Sequence, residues 1–206
     1  MPYLLSGAAP VTGGELELGV ERLDLTSLSV AAMTRRGVVL VPEGRLTEGL
    51  CRDQSVRDNI ALPWLDLHGR PWSIGRAWPK REAQAVLDDL DVVPKDPDLP
   101  LGRLSGGNQQ KVLLGKWLVG KPKLLLMHEP TQAVDVKARQ DILEAIHKLA
   151  TAGTPVLVAS SEAPDLALLC NRIITFRDGR VDHVLTGPCD ARKILNTIYR
   201  RGTNDD

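Results

Sequence analysis

Short, wholly apolar runs alternate along this chain with longer stretches whose apolar residues recur at helical spacing. Val38-Val39-Leu40-Val41, closed by Pro42, has no polar position, as expected of a strand covered on both faces. The runs near 123–127, Pro155-Val156-Leu157-Val158 and Arg172-Ile173-Ile174-Thr175-Phe176 are read as further strands. Glu15-Leu16-Glu17-Leu18-Gly19 alternates instead, in the manner of a half-buried strand. A helix from about Pro79 to Leu90 places Ala83, Val86, Leu87 and Leu90 on one face, with Pro79 suited to its first turn. Others are expected after residue 104, from about Val136 to Ala152 with a stop at Gly153, near Asp165 to Leu169, and from about Ala191 to Tyr199. Asp178-Gly179 marks a tight turn, and the tail Gly202 to Asp206 is expected to be disordered. The strand–helix alternation implies an α/β protein with a mainly parallel sheet and right-handed crossovers.

Leu104-Ser105-Gly106-Gly107-Asn108-Gln109-Gln110-Lys111-Val112 carries the most specific chemistry. A serine and two glycines at a helix start leave backbone N–H groups, a hydroxyl and the positive end of the helix dipole at one spot, which suits a phosphate. Glycine lets the backbone approach closely. Serine-glycine-glycine alone is more often an ordinary helix cap. The segments that follow, Leu124-Leu125-Leu126-Met127 and His128-Glu129-Pro130-Thr131, reverse that preference.

Together these segments resemble the signature and the strand-plus-glutamate segment of ATP-binding-cassette (ABC) ATPases. The N-Q-Q-K-V form, with Val41-Pro42-Glu43-Gly44-Arg45 and Glu48-Gly49-Leu50, is most similar to the second cassette of the double-cassette subunits that energise monosaccharide importers. The resemblance covers about residues 1 to 185. It implies a P-loop NTPase-like α/β sheet flanked by helices, a helical subdomain over about 51–103, a signature and switch region over 104–185, and a C-terminal helix and tail over 186–206. It further implies ATP and Mg2+ as cofactors, a second cassette and membrane permease subunits as partners, and a place on the cytoplasmic face of the cell membrane.

Residue by residue, the resemblance gives Ser105, Gly106, Gly107 and Gln109 a role in completing the nucleotide site of the opposite cassette. Glu129 falls at the catalytic-glutamate position, where a carboxylate orients the attacking water. Glu43 stands at the position that senses nucleotide and metal, Ser161 at the switch position, and Asp135 in a loop that communicates between halves. Asp135 is also a good helix N-cap. Departures are equally informative. His128 replaces the usual aspartate that holds magnesium through water, and imidazole is a poor ligand for that hard cation. No G-x-x-x-x-G-K-[ST] sequence occurs anywhere in the chain. The resemblance places that loop, with the first strands, before Met1, and the isolated chain is therefore expected to hydrolyse little ATP. The alternative is a non-enzymatic or non-functional truncated cassette fragment that acts only as an interaction module, keeping the cassette surface without turnover.

Lys plus Arg equals Asp plus Glu at 26 each, so no overall field draws the chain to nucleic acid or anionic lipid. That balance argues against a cassette ATPase of DNA repair or translation. Aromatic residues are only 3% of the chain, so its core is aliphatic. Cys51, Cys170 and Cys189 lack zinc or redox spacing, and His68, His147 and His183 lack metal-ligand spacing. Trp64, Trp72 and Trp78 could pack within the helical region or anchor a partner. No apolar run reaches the ~18 residues that span a bilayer, and the start lacks the charged region of a signal peptide.

Overall fold

A computed structural model describes residues 1–67 and 77–199. Trp72, His68 and the tail 202–206 lie outside the described residues. The chain forms two compact units, Met1–Ala159 and Ser160–Asp206.

The first unit opens with a short helix, α1 (Pro2–Leu5), and an antiparallel pair, β1 (Glu15–Leu18) and β2 (Glu21–Asp24). Helix α2 (Val30–Arg35) leads through Gly37, at φ +84°, into β3 (Val38–Val41). A single π-helical turn (Arg45–Gly49) follows, then α3 (Val56–Ala61), α4 (Ala77–Asp89), α5 (Gly106–Leu118), β4 (Leu124–His128), α6 (Val136–Thr151) and β5 (Val156–Ala159). The sheet is parallel, in the order β3-β4-β5, with Val38 opposite Leu124 and Leu125 opposite Val156. Its central strand is apolar because both of its faces are covered: Leu125, Leu126 and Met127 are fully buried. Leu126 packs in one cluster with Val38, Met33 and Leu23, so the β1-β2 hairpin and α2 share the core of the sheet.

In the helical region Ala83, Val86 and Leu87 of α4 are buried, the face expected from their spacing. Buried Trp64 meets the ring of Trp117 edge-on at 6.1 Å and donates from Nε1 to the Lys116 carbonyl at 2.8 Å. It therefore anchors the region internally. Helix α5 is buried almost all round, and two lysines buried along it tie its neighbours together. Lys116 Nζ donates to the Gly49 carbonyl (2.7 Å), while Lys111 Nζ reaches the Asp91 carbonyl (3.0 Å) and Asp141 (2.7 Å). Burial pushes the Lys116 amine below its ordinary pKa.

The second unit comprises α7 (Ala163–Leu169), the antiparallel hairpin β6 (Arg172–Arg177) with β7 (Arg180–Thr186), and α8 (Ala191–Tyr199). Asp178 and Gly179 turn that hairpin with φ of +52° and +76°. His147 and His183 are exposed. Strand β2 and helices α2 and α3 were not evident from periodicity, since each is six residues or shorter.

Candidate functional site

Ser105 caps α5 with extended backbone (φ −62°, ψ 159°). Its Oγ accepts from the Asn108 backbone N–H at 3.4 Å and from Asn108 Nδ2 at 2.9 Å. Ser105 is exposed, and Gly106 is half-buried beside it. The glycines are required by packing as well as by any ligand. A Cβ on Gly107 would overlap the Ala138 methyl of α6 and stand 3.1 Å from Asp135 Oδ2. A Cβ on Gly106 would stand 3.2 Å from Arg45 Nη2. The first turns of α5 and α6 thus touch through bare backbone. Gln109 does not reach this surface: it is 7% exposed, and its Nε2 donates to the Leu104 carbonyl at 3.0 Å and the Leu101 carbonyl at 3.4 Å. It holds the loop that leads into the helix.

Arg45 is a contributor that sequence reasoning passed over. Its Nη1 donates to Gln110 Oε1 at 3.4 Å, and its buried Nε has no hydrogen-bond partner. Burial lowers the guanidinium pKa, but arginine starts so high that it stays charged. A cation with spare donors therefore stands next to the helix start. Gln110 in turn donates from Nε2 to the Pro130 carbonyl at 2.9 Å, which ties α5 to the loop after β4.

That loop carries Glu129 and Asp135. Glu129 sits at the strand end with φ +47°, and its N–H donates to the Ala159 carbonyl at 2.8 Å. A non-glycine residue in the left-handed region costs about 1–3 kcal/mol and persists where surrounding structure enforces it. Ala133 does the same at φ +53°. Asp135 caps α6, its Oδ1 accepting from the Ala138 N–H at 2.9 Å.

At the end of β4, His128 Nδ1 lies 3.2 Å from Glu43 Oε2, within ion-pair reach but without the alignment of a hydrogen bond. The His128 ring meets Tyr3 edge-on at 5.6 Å. Burial, and then the Glu48 carboxylate, raises the Tyr3 phenol above its ordinary pKa. Glu43, His128 and Tyr3 therefore pack on one another. Among the described residues no three His, Cys, Asp or Glu side chains converge as a metal would need. With an imidazole turned to Glu43 at the strand end, this half does not fit a magnesium ion. Ser161 is exposed in the second compact unit, next to α7.

The family model described as ABC transporter matches residues 3–132, more than half of the chain. The chain belongs to the ABC transporter family. Among curated relatives of this ABC chain, the ribose import ATP-binding protein RbsA of Chromobacterium violaceum is 38% identical over 176 residues, 85% of the chain and 35% of the relative. The ribose import ATP-binding protein RbsA of Geobacillus kaustophilus is 33% identical over 179 residues, 87% of the chain and 36% of the relative. The chain thus spans about a third of the length of the curated relatives it matches. A nucleotide-free ATP-binding cassette from an ABC transporter superposes with a TM-score of 0.77 at 18% identity, covering 96% of this chain and 78% of that one. A cassette solved as a dimer in a post-hydrolysis state with ADP and Pi gives 0.74 at 22% identity, covering 90% and 78%. The fold is the α/β fold of ABC cassettes, a P-loop NTPase fold.

In this ABC fold the residues singled out from sequence fall into separate groups. Ser105, Gly106, Gly107 and Asp135 converge at the paired starts of α5 and α6. Glu43 meets His128 at the end of the sheet, and Glu129 directly follows β4. Arg45 and Gln110 link the two, a role legible only in three dimensions because 65 positions separate them.

Proposed function

We propose that this chain is the signature-bearing half of a nucleotide-binding pair in a carbohydrate importer of the ribose and galactose type. The observation that carries the reading is the open start of α5. Exposed Ser105, the half-buried backbone of Gly106 and the Arg45 guanidinium form one surface at the positive end of a 13-residue helix, with buried Gly107 letting α6 pack directly behind it. The names of the curated relatives, one of them named for ribose/galactose/methyl galactoside import, supply the cargo class.

In this proposal the phosphate chain of ATP is held by the G-x-x-x-x-G-K-[ST] loop of a second cassette. Ser105 and the N–H groups of the next turn close over it, and Arg45 adds positive charge from behind. Gln109 and Asn108 fix the loop so that this surface is formed before nucleotide arrives. Gly107 lets α6 begin against α5, so a displacement of the signature turn moves Asp135 and, through Gln110, the loop that holds Glu129. Glu129 would orient water, but His128 stands where an oxygen ligand for magnesium would be expected, and its ring lies against the Glu43 carboxylate. The division of labour is asymmetric: this chain completes a neighbour's site and contributes little turnover of its own. The region over 51–103 would face the permease, which keeps the chain at the cytoplasmic face of the membrane without entering it. No helix among the described residues is long and apolar enough to cross a bilayer.

The test uses a second cassette that carries the phosphate loop but has its own signature serine inactivated. Adding this chain restores ATP hydrolysis, and Ser105→Arg abolishes the restoration while leaving the far-ultraviolet spectrum unchanged. Arg45→Ala weakens it at least tenfold. Absence of restoration by the folded chain contradicts the proposal.

A further inference from the structure

At the end of the sheet opposite His128, where β3 and β4 begin, a pocket of about 360 Å3 is lined by Arg35, Arg36, Lys121, Lys123, Gly120 and Trp64, among others. No acidic side chain lines it. The chain as a whole carries no net charge, so this is a local concentration of positive charge.

Cations after a helix often do no more than complement its last carbonyls, and the pocket sits just beyond the ends of α2 and α5. Arg36 fits that description: its Nη1 donates to the Ala32 carbonyl at 3.1 Å, and its Nε lies 4.0 Å from Glu21. The other three do not. Among the described residues, the side chains of Arg35, Lys121 and Lys123 make no hydrogen bond or ion pair.

The backbone holds these cations together. Gly37, at φ +84°, presents its carbonyl to the N–H groups of Lys123 (2.8 Å) and Leu124 (3.1 Å), which joins the end of α2 to the start of β4. The Lys123 stem packs over Gly37, where an added Cβ would stand 3.1 Å from its Cγ. Lys121 turns at φ +48°, and Gly120 packs close against the Trp64 ring, which an added Cβ would overlap. Arg35, Lys121 and Lys123 are exposed around the rim, and buried Trp64 with Gly120 forms the floor. The volume is at the small end of ligand pockets, enough for a compact anion and too small for a polymer. Guanidinium and ammonium groups together match the oxygens of phosphate, through forked donors and point charges respectively.

We propose that this pocket binds the phosphate or diphosphate group of a small anion, held by Arg35, Lys121 and Lys123. It is separate from the signature surface, and the inference holds whichever way the proposed transport role is resolved. Occupancy neutralises charges at the foot of β3 and β4, the strands whose far ends carry Glu43 and Glu129.

The experiment is isothermal titration of the full chain with inorganic pyrophosphate at low ionic strength, without magnesium. We expect one saturable site, weakened at least tenfold in Lys121→Ala/Lys123→Ala and at least threefold in Arg35→Ala. Arg172→Ala/Arg180→Ala, which loses the same two charges from β6 and β7, binds within twofold of the parent chain. A parallel arm measures co-sedimentation with phosphatidylcholine vesicles containing phosphatidylglycerol. Retention on vesicles that depends on the pocket, without pyrophosphate binding, assigns the phosphate to a lipid headgroup; the reverse assigns it to a soluble ester. Equal loss in the pocket and control variants, or binding in neither arm, overturns the proposal.

Discussion

Replacing Gly107 with alanine tests whether the signature turn is shaped by α6. The added methyl would overlap that of Ala138 and approach Asp135 Oδ2 to 3.1 Å. On helix propensity alone, glycine to alanine stabilises by about 1 kcal/mol. The overlap opposes this: both atoms sit on helical backbone, so relief requires the two helices to part, and overpacking of this kind costs about 1–3 kcal/mol. A net destabilisation of about 1 kcal/mol is expected, or a fall of about 2–4 °C in Tm for a chain of this size. Removing the other methyl with Ala138→Gly opens the space that the new one needs. The double variant Gly107→Ala/Ala138→Gly should therefore be more stable than the sum of the single effects by about 1 kcal/mol or more. Urea unfolding of the four proteins at fixed pH supplies the cycle. Additive effects would refute the close approach, and with it the claim that bare backbone at Gly107 couples Ser105 to Asp135.

Two other consequences concern Glu129 and Asp98. Glu129→Gly relieves a left-handed backbone and should unfold at a midpoint higher, by the equivalent of about 0.5–1 kcal/mol, than Glu129→Ala, which loses the same side chain but keeps a Cβ, in thermal denaturation. Equal midpoints for Glu129→Gly and Glu129→Ala would mean that the strand end carries no strain. Asp98 is held below its ordinary carboxylate pKa by Lys80 at 3.0 Å and by Arg57, which joins α3 and α4 to the segment after α4. Because the folded value is the lower one, its stabilisation is present above the ordinary value of 3.8 and is lost as pH falls through the folded value. The difference in urea midpoint between the parent chain and Asp98→Asn should therefore shrink between pH 6 and pH 3. A difference independent of pH would place the interaction elsewhere.

The elements with strong periodicity were legible in the sequence to within a residue or two. Strand β3 ends where Pro42 stops it, α6 begins at its Asp135 cap, and α4 buries the face that its spacing marks. What escaped was either short or non-local. Helix α2 spans only six residues, and its dependence on packing Met33 against the sheet at Val38 and Leu126 leaves little trace in the local pattern. Glu43, Glu129 and Asp135 were identified by resemblance, and the structure shows how each is held. Gln109 was placed on the reaching surface from its position in the signature, yet one turn of helix rotates it inward to the Leu101 and Leu104 carbonyls. Arg45 and the four-cation pocket became visible only when distant segments met, since neither depends on neighbours in sequence.

Calorimetric titration of the isolated chain with ATP and magnesium bears most directly on the division of labour between halves. The account predicts no binding at micromolar concentrations, because the chain has no G-x-x-x-x-G-K-[ST] sequence and, in the proposed function, His128 stands where magnesium would be held. Micromolar binding, accompanied by ATP turnover that Glu129→Gln abolishes, would contradict it.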